Sequence, residues 1–254
     1  MKRFITSNSF VYTAGLALVF LLWLFISLSQ GPGNLIFPSP IDTFRVTGEL
    51  LSSSYIYQCL GMTLLRTLEG FAIAFALALL LGSFAGEFPY LQRFFKPLIL
   101  VFKSAPTAAF VFLFLMLSGT SRAPIWIVGL LAFPILYEAV VAGYNAVPRQ
   151  LVYASRVDGA SRLKRLVRIK IPLSIPYFVL GVVSSFALSF KTSIMAEIVA
   201  GMTSPGLGGA IRVYRNLDPS DLTPVFAIAL IAIVIVLLFD LLAYWTKKAL
   251  RVAR

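Results

Sequence analysis

Long uncharged runs alternate with short polar or basic connectors along the whole chain. Residues 10–28 carry no charged side chain, and about 20 apolar residues in a helix suffice to cross the hydrocarbon core of a bilayer. Runs of the same kind over residues 60–85, 104–117, 125–144, 171–199 and 222–245 predict five more spans, making an all-α, multi-pass membrane protein with about six transmembrane helices. The connectors carry the expected punctuation: Gly31-Pro32-Gly33-Asn34 and Pro38-Ser39-Pro40 after the first run, Ser118-Gly119-Thr120-Ser121 between the third and fourth, and a Gly/Pro-rich stretch over 201–221. A short interfacial helix is predicted around residues 42–51. Arg66 and Glu69 lie three apart near the start of the second run, where an ion pair on one helix face lowers the cost of burying charge.

Composition fixes the class. Hydrophobic residues make up 59% of the 254 residues and charged ones only 13%, against about a quarter charged in soluble proteins. The formal charge of +12 is distributed by topology and implies no nucleic-acid partner. With both termini cytoplasmic, 16 of the 22 Lys and Arg residues fall on cytoplasmic segments: Lys2 and Arg3, the connector 86–103, the loop 145–170 and the C-terminal tail. Five fall outside (Arg45, Arg122, Lys191, Arg212 and Arg215), and Arg66 sits within a span. That asymmetry follows the positive-inside rule. A single cysteine, Cys59, excludes an intrachain disulfide, and the absence of histidine excludes His-based catalysis and His metal sites. Met1-Lys2-Arg3 ahead of the first run imitates a signal peptide, but the run is long and no small-x-small cleavage site follows, so a retained anchor is expected.

The loop over 145–172 holds the most specific pattern. Tyr153-Ala154-Ser155, three residues, Gly159, nine residues and Ile169-Lys170-Ile171-Pro172 stand between Pro148 and the fifth run. Ala154, Ser155, Gly159, Ala160 and Ser161 leave the backbone approachable, as a helix seated in a groove of another protein requires. Gly159 permits a bend between two short helical pieces. Beyond it, Leu163, Leu166 and Val167 interleave with Arg162, Lys164, Arg165 and Arg168, an amphipathic pattern suited to the membrane face, and the two prolines bound the helical stretch. Read by charge alone, this is equally a basic surface helix that only sets topology.

The spacing resembles the cytoplasmic "EAA" loop of permease subunits in binding-protein-dependent ABC importers, whose pattern is Glu-Ala-Ala, three residues, Gly, nine residues, Ile-x-Leu-Pro. Ala154, Gly159, Ile169 and Pro172 match in register, Ser155 and Ile171 are near-substitutions, and Tyr153 replaces the glutamate. Three further segments resemble the nitrate/sulfonate/taurine-type branch: Leu35-Ile36-Phe37-Pro38-Ser39-Pro40, Thr63 to Phe71 with Arg66, Glu69 and Gly70, and Ala196-Glu197 followed by Gly206-Leu207-Gly208. The resemblance implies a type I ABC importer permease fold in the bacterial cytoplasmic membrane. It also implies ATPase coupling through Tyr153, Ala154, Ser155, Asp158, Gly159, Ala160 and Ser161. The implied partners are two ATPase subunits carrying ATP and Mg, an extracytoplasmic solute-binding protein and a second copy of the chain. This chain itself would bind no cofactor or metal and catalyse no reaction. The substrates of that branch are small anions and thiamine-precursor-like pyrimidines.

Candidate pathway residues are Lys191, Glu197, Phe110 and Phe114. Lys191 either attracts an anion at a pore mouth or snorkels to the outer interface. The phenylalanines either form an aromatic constriction or pack and face lipid. Glu138 and Asp240 also need polar company within apolar runs. Gly201 to Gly206 imitates a phosphate loop but lacks the Lys-Ser/Thr that follows one, so it is no nucleotide site. An ion-coupled secondary carrier would need several carboxylates deep in the spans. An intramembrane enzyme would need convergent acid, base or metal ligands.

Overall fold

The computed structural model describes residues 8–29, 36–104, 106–201 and 205–252. The break at Gly31–Asn34, residues Met202, Thr203 and Ser204, and the terminal Lys2, Arg3 and Arg254 lie outside them. The described chain is helical with short turns: α1 (Asn8–Ser29), α2 (Pro40–Leu51), α3 (Ser54–Glu87), α4 (Pro89–Ser104), α5 (Thr107–Asn145), α6 (Arg149–Val157), α7 (Arg162–Arg165), a π-turn (Leu166–Lys170), α8 (Ile171–Val199), α9 (Leu207–Leu217) and α10 (Thr223–Val252). Among the described residues, four helical stretches are long and apolar enough to cross a membrane: Ser54–Glu87, Thr107–Asn145, Arg162–Val199 and Thr223–Thr246. The apolar stretch Thr13–Ser29 is shorter.

Helix α5 sits at the centre, packed against α3 on one side and α8 on the other, and α10 closes over α8 and α2. Small residues let the backbones approach. A Cβ on Gly82 would lie 2.9 Å from the Cβ of Val140, and one on Gly86 would lie 2.5 Å from Cγ of Tyr144. The Gly82-x-x-x-Gly86 spacing, uninformative as a bare sequence match, is therefore the seam on which α3 meets α5. Outward-facing Leu, Phe and Ile cover α1, α3 and α10 (Leu16 is 73% exposed), as lipid-facing surfaces require.

Within α5 the backbone breaks at Gly119, where φ is +75°. In a straight helix Phe114 and Trp126 would be separated by about 18 Å of rise, yet their rings stack at 6.5 Å. The two arms of α5 fold back on each other there, at the turn foreseen from Ser118–Ser121.

Three features depart from the sequence reading. The connector over 86–103 is helix α4, whose Phe95, Ile99 and Phe102 pack toward Phe133 and Tyr137 while Arg93, Lys96 and Lys103 remain on other faces. It extends the leg antiparallel to the second arm of α5, so the short apolar run over 104–117 does not stand alone. The Gly/Pro-rich stretch over 201–221 contains α9, whose Leu207, Gly208, Gly209 and Ala210 are buried. The glycines that read as breakers serve close packing. Pro172 does not end a helix. The chain runs from α7 through the π-turn into α8, and the Ile171 amide donates to Leu166 O, five residues back. The wider π-turn accommodates a proline ring that lacks the amide and clashes with a regular α-helical carbonyl.

Candidate functional site

Helix α3 carries a polar cluster near each end. Arg66 and Glu87 are twenty-one residues apart on it, about 31 Å of helical rise, close to the hydrocarbon thickness.

At the first cluster three sequence segments meet. Glu197 of α8 has no exposed surface and Arg66 is 5% exposed. Their Nη1–Oε1 distance is 2.9 Å. Thr63 Oγ1 lies 3.0 and 2.9 Å from the two Glu197 oxygens, and it accepts from the Leu207 amide at 2.8 Å. The Gly208 amide donates to Glu197 Oε2 at 2.9 Å, and Arg66 Nη1 donates to Pro205 O at 2.8 Å. Buried ionised groups persist only when paired and hydrogen-bonded, and here the requirement ties α3, α8 and the start of α9 into one unit. Glycine is needed at 206 because a Cβ would lie 2.7 Å from Glu197 Oε2 and 2.8 Å from Arg66 Nη1. The partner of Arg66 is thus Glu197 across the bundle, not Glu69 along the helix; Glu69 is exposed.

The second cluster holds the loop over 145–172. Helix α6 follows Pro148 and contains no buried residue. Tyr153 is 69% exposed; Ala154, Asp158 and Gly159 are exposed, Ser155 and Ala160 half-buried, and Ser161 exposed. The amides of Asp158, Gly159 and Ala160 close the helix on the carbonyls of Ala154, Arg156 and Ser155. Gly159 then turns the chain at φ +74°, with nothing within 4 Å of where a Cβ would stand. Ser161 starts α7 by accepting from the Lys164 amide, and Arg165 donates to Ala160 O, tying the new helix back to the turn. Beneath α6 is a cleft of about 700 Å³ lined by Tyr153, Arg156, Arg165, Lys170, Tyr144 and Glu87, among others. Glu87, at the last position of α3, accepts from Lys170 Nζ at 2.6 Å and from Arg162 Nε at 3.1 Å. The Arg162 guanidinium also lies 4.5 Å from the centre of the Phe88 ring.

The other sequence candidates are scattered. Lys191 is exposed on α8. Phe110 is half-buried, and Phe114 lines an apolar cavity of about 300 Å³ with Trp126, Phe102 and Phe133. Glu138 faces Lys103 Nζ at 2.9 Å, and Asp240 is exposed on α10. In the α9–α10 turn, hydrogen bonds from the Ser220 side chain and amide hold the Asp218 carboxyl below the usual carboxylate range. Among the described residues no group of three or more His, Cys, Asp or Glu side chains is placed to hold a metal.

Residues 48–252 match the family described as binding-protein-dependent transport system inner membrane component. The chain belongs to that family. This permease is 28% identical over 213 residues to a probable ABC transporter permease protein of Brucella melitensis, covering 84% of this chain and 85% of that protein. It is 30% identical over 218 residues to the riboflavin transport system permease protein RibX of Chloroflexus aurantiacus, covering 85% and 80%. Its fold is that of a crystallised amino acid ABC transporter: TM-score 0.67, 18% identity, 80% of the permease and 97% of the other chain. The permease is therefore an inner-membrane component of ABC importers, with the type I importer fold.

The structure brings together Arg66, Glu197 and Gly206-Leu207-Gly208, which the sequence presented as separate resemblances. It also places Glu87, which the sequence reading did not single out, against the loop over 145–172. The usable signal was its position: the one acid in the apolar-to-basic passage over 86–103.

Proposed function

We propose that two copies of the permease form a solute path, each crossing the membrane six times with its termini in the cytoplasm. A separate ATPase subunit docks on α6 of each copy, and a solute-binding protein delivers cargo at the opposite face. The observation that carries this reading is α6 itself. It contains no buried residue and presents Leu151, Tyr153 and Val157, all exposed. Exposed apolar side chains beside small residues, on a helix flanked by a left-handed glycine turn, suit a groove in another protein. ATP and Mg are bound and hydrolysed on that other chain; the permease transmits the movement.

The cargo is a small solute. The segments resembling the nitrate/sulfonate/taurine-type branch favour a small anion or a thiamine-precursor-like pyrimidine, and exposed Lys191, Arg212 and Arg215 supply cations for an anion. An ion-coupled carrier is disfavoured because Glu87, Glu138 and Glu197 each already face a cation. The assembly is tested by purifying the tagged permease from its own membranes. An ATPase chain is expected to co-purify in equal amount, and Ser155→Trp on the α6 surface is expected to release it. Recovery of the permease without any ATPase would overturn the docking.

A further inference from the structure

The cytoplasmic loop is attached to the bundle by the backbone at both ends, to α5 through residues 146–148 and to α8. The backbone runs from α7 through the π-turn into α8. A third attachment is Glu87, the final residue of α3, which holds Arg162 at the start of α7 and Lys170 at the end of the π-turn with its two carboxylate oxygens. We propose that Glu87 is a positioning residue for coupling: it clasps both ends of residues 162–170 to α3, so that a push on α6 moves α3 and α8 together.

The geometry supports a joint rather than a surface ion pair. Glu87 and Lys170 side chains are only 15% and 19% exposed, and a two-pronged carboxylate with charge-assisted bonds is stronger and more directional than a lone exposed pair. Arg162 is 60% exposed, but its guanidinium is also seated near the Phe88 ring. The end of α3 is itself firmly placed, because Gly86 lies against the Tyr144 ring with no room for a Cβ. The segment clasped is the one stretch of π-helix among the described residues, a geometry frequent where a helix serves function. Gly159 lies just outside the clasp. Rotation of α6 relative to the bundle is thereby taken up at its two flanking connectors, 146–148 and 158–161, while 162–170 travels with α3. In the absence of the carboxylate, the stroke would reach α5 and α8 through the backbone and α3 only through its packing on α5.

This inference rests on the proposed docking of an ATPase at α6, and the test separates the two. The complex of permease, ATPase and binding protein is reconstituted in vesicles, and solute moved per ATP hydrolysed is measured for wild type, Glu87→Gln, Arg162→Gln/Lys170→Gln and the triple variant. The ATPase is expected to remain bound in all four. Transport per ATP is expected to fall by ~5- to 20-fold in Glu87→Gln and by a similar factor in the Arg162/Lys170 variant. The triple variant should be no worse than either, because groups acting as one unit give non-additive losses. Multiplied losses in the triple variant, or unchanged transport per ATP in Glu87→Gln, overturn the clasp. Should Glu87→Gln fail to insert, the Arg162/Lys170 variant decides alone: full coupling there overturns the proposal, and loss of coupling with bound ATPase supports it. Loss of the ATPase from wild type itself would instead strike the docking.

Discussion

Glu197→Gln is expected to leave the permease barely foldable, although the change removes only a charge. Glu197 is fully buried and Arg66 nearly so, with their charged atoms 2.9 Å apart. Neutralising the acid removes the counter-charge of a guanidinium held in a low-dielectric interior, a loss of about 3–5 kcal/mol for a broken buried pair. A typical domain is stable by only about 5–15 kcal/mol, so the expected result is little monodisperse protein in detergent and a much lowered unfolding temperature. The charge itself, rather than the volume, is the cause. Arg66→Met with Glu197→Leu should therefore recover most of the stability despite altering both residues, since a buried pair is often replaceable by apolar groups of similar size. Recovery should be incomplete because the Gly208 amide loses its carboxylate acceptor, which costs about 1–3 kcal/mol when left unpaired. Thermal unfolding followed by size-exclusion profiles checks both. An unchanged profile for Glu197→Gln would mean the pair does not hold α3, α8 and α9 together.

Gly159→Val is expected to have the opposite signature: normal insertion and stability with lost coupling. A Cβ there meets open space, but the backbone stands at φ +74°, a region that a β-branched residue scarcely visits. Holding a non-glycine residue in such a conformation costs on the order of 1–3 kcal/mol. The turn therefore relaxes to negative φ, and α6, none of whose residues is buried, points elsewhere. ATP-driven uptake in reconstituted vesicles is expected to fall by about 10-fold or more, the larger part of that conformational cost read as a rate or occupancy. Gly159→Asn should retain most of the uptake, because asparagine tolerates the left-handed region. Equal activity of the valine and asparagine variants would show that the backbone conformation at 159 is irrelevant to coupling.

Much of the architecture was legible because the bilayer imposes long apolar runs. The Gly159 spacing marked a bend between two short helices, and the structure places a turn there at φ +74°. What escaped had physical reasons. The Arg66–Glu197 pair joins residues 131 positions apart, and no local period links them. The local alternative, Glu69 at i+3, looked sufficient, although an arginine inside a span demanded a partner as buried as itself. Helix α9 escaped because glycines at 206 and 208 read as breakers when they are spacers against Glu197 and α8. Helix α4 escaped because Arg93, Lys96 and Lys103 marked a connector, while its Phe95, Ile99, Phe102 face was short. Pro172 misled for a similar reason: a π-turn changes what a proline obstructs.

The expected behaviour is movement of solute only while a separate ATPase drives α6. It is tested most directly in sealed vesicles containing the purified permease and supplied with loaded binding protein, with and without the partner ATPase and ATP. Accumulation inside is expected only when ATPase, Mg and ATP are all present on the α6 side. Concentrative uptake by the permease and binding protein alone, driven by an ion gradient or by nothing added, would contradict the account.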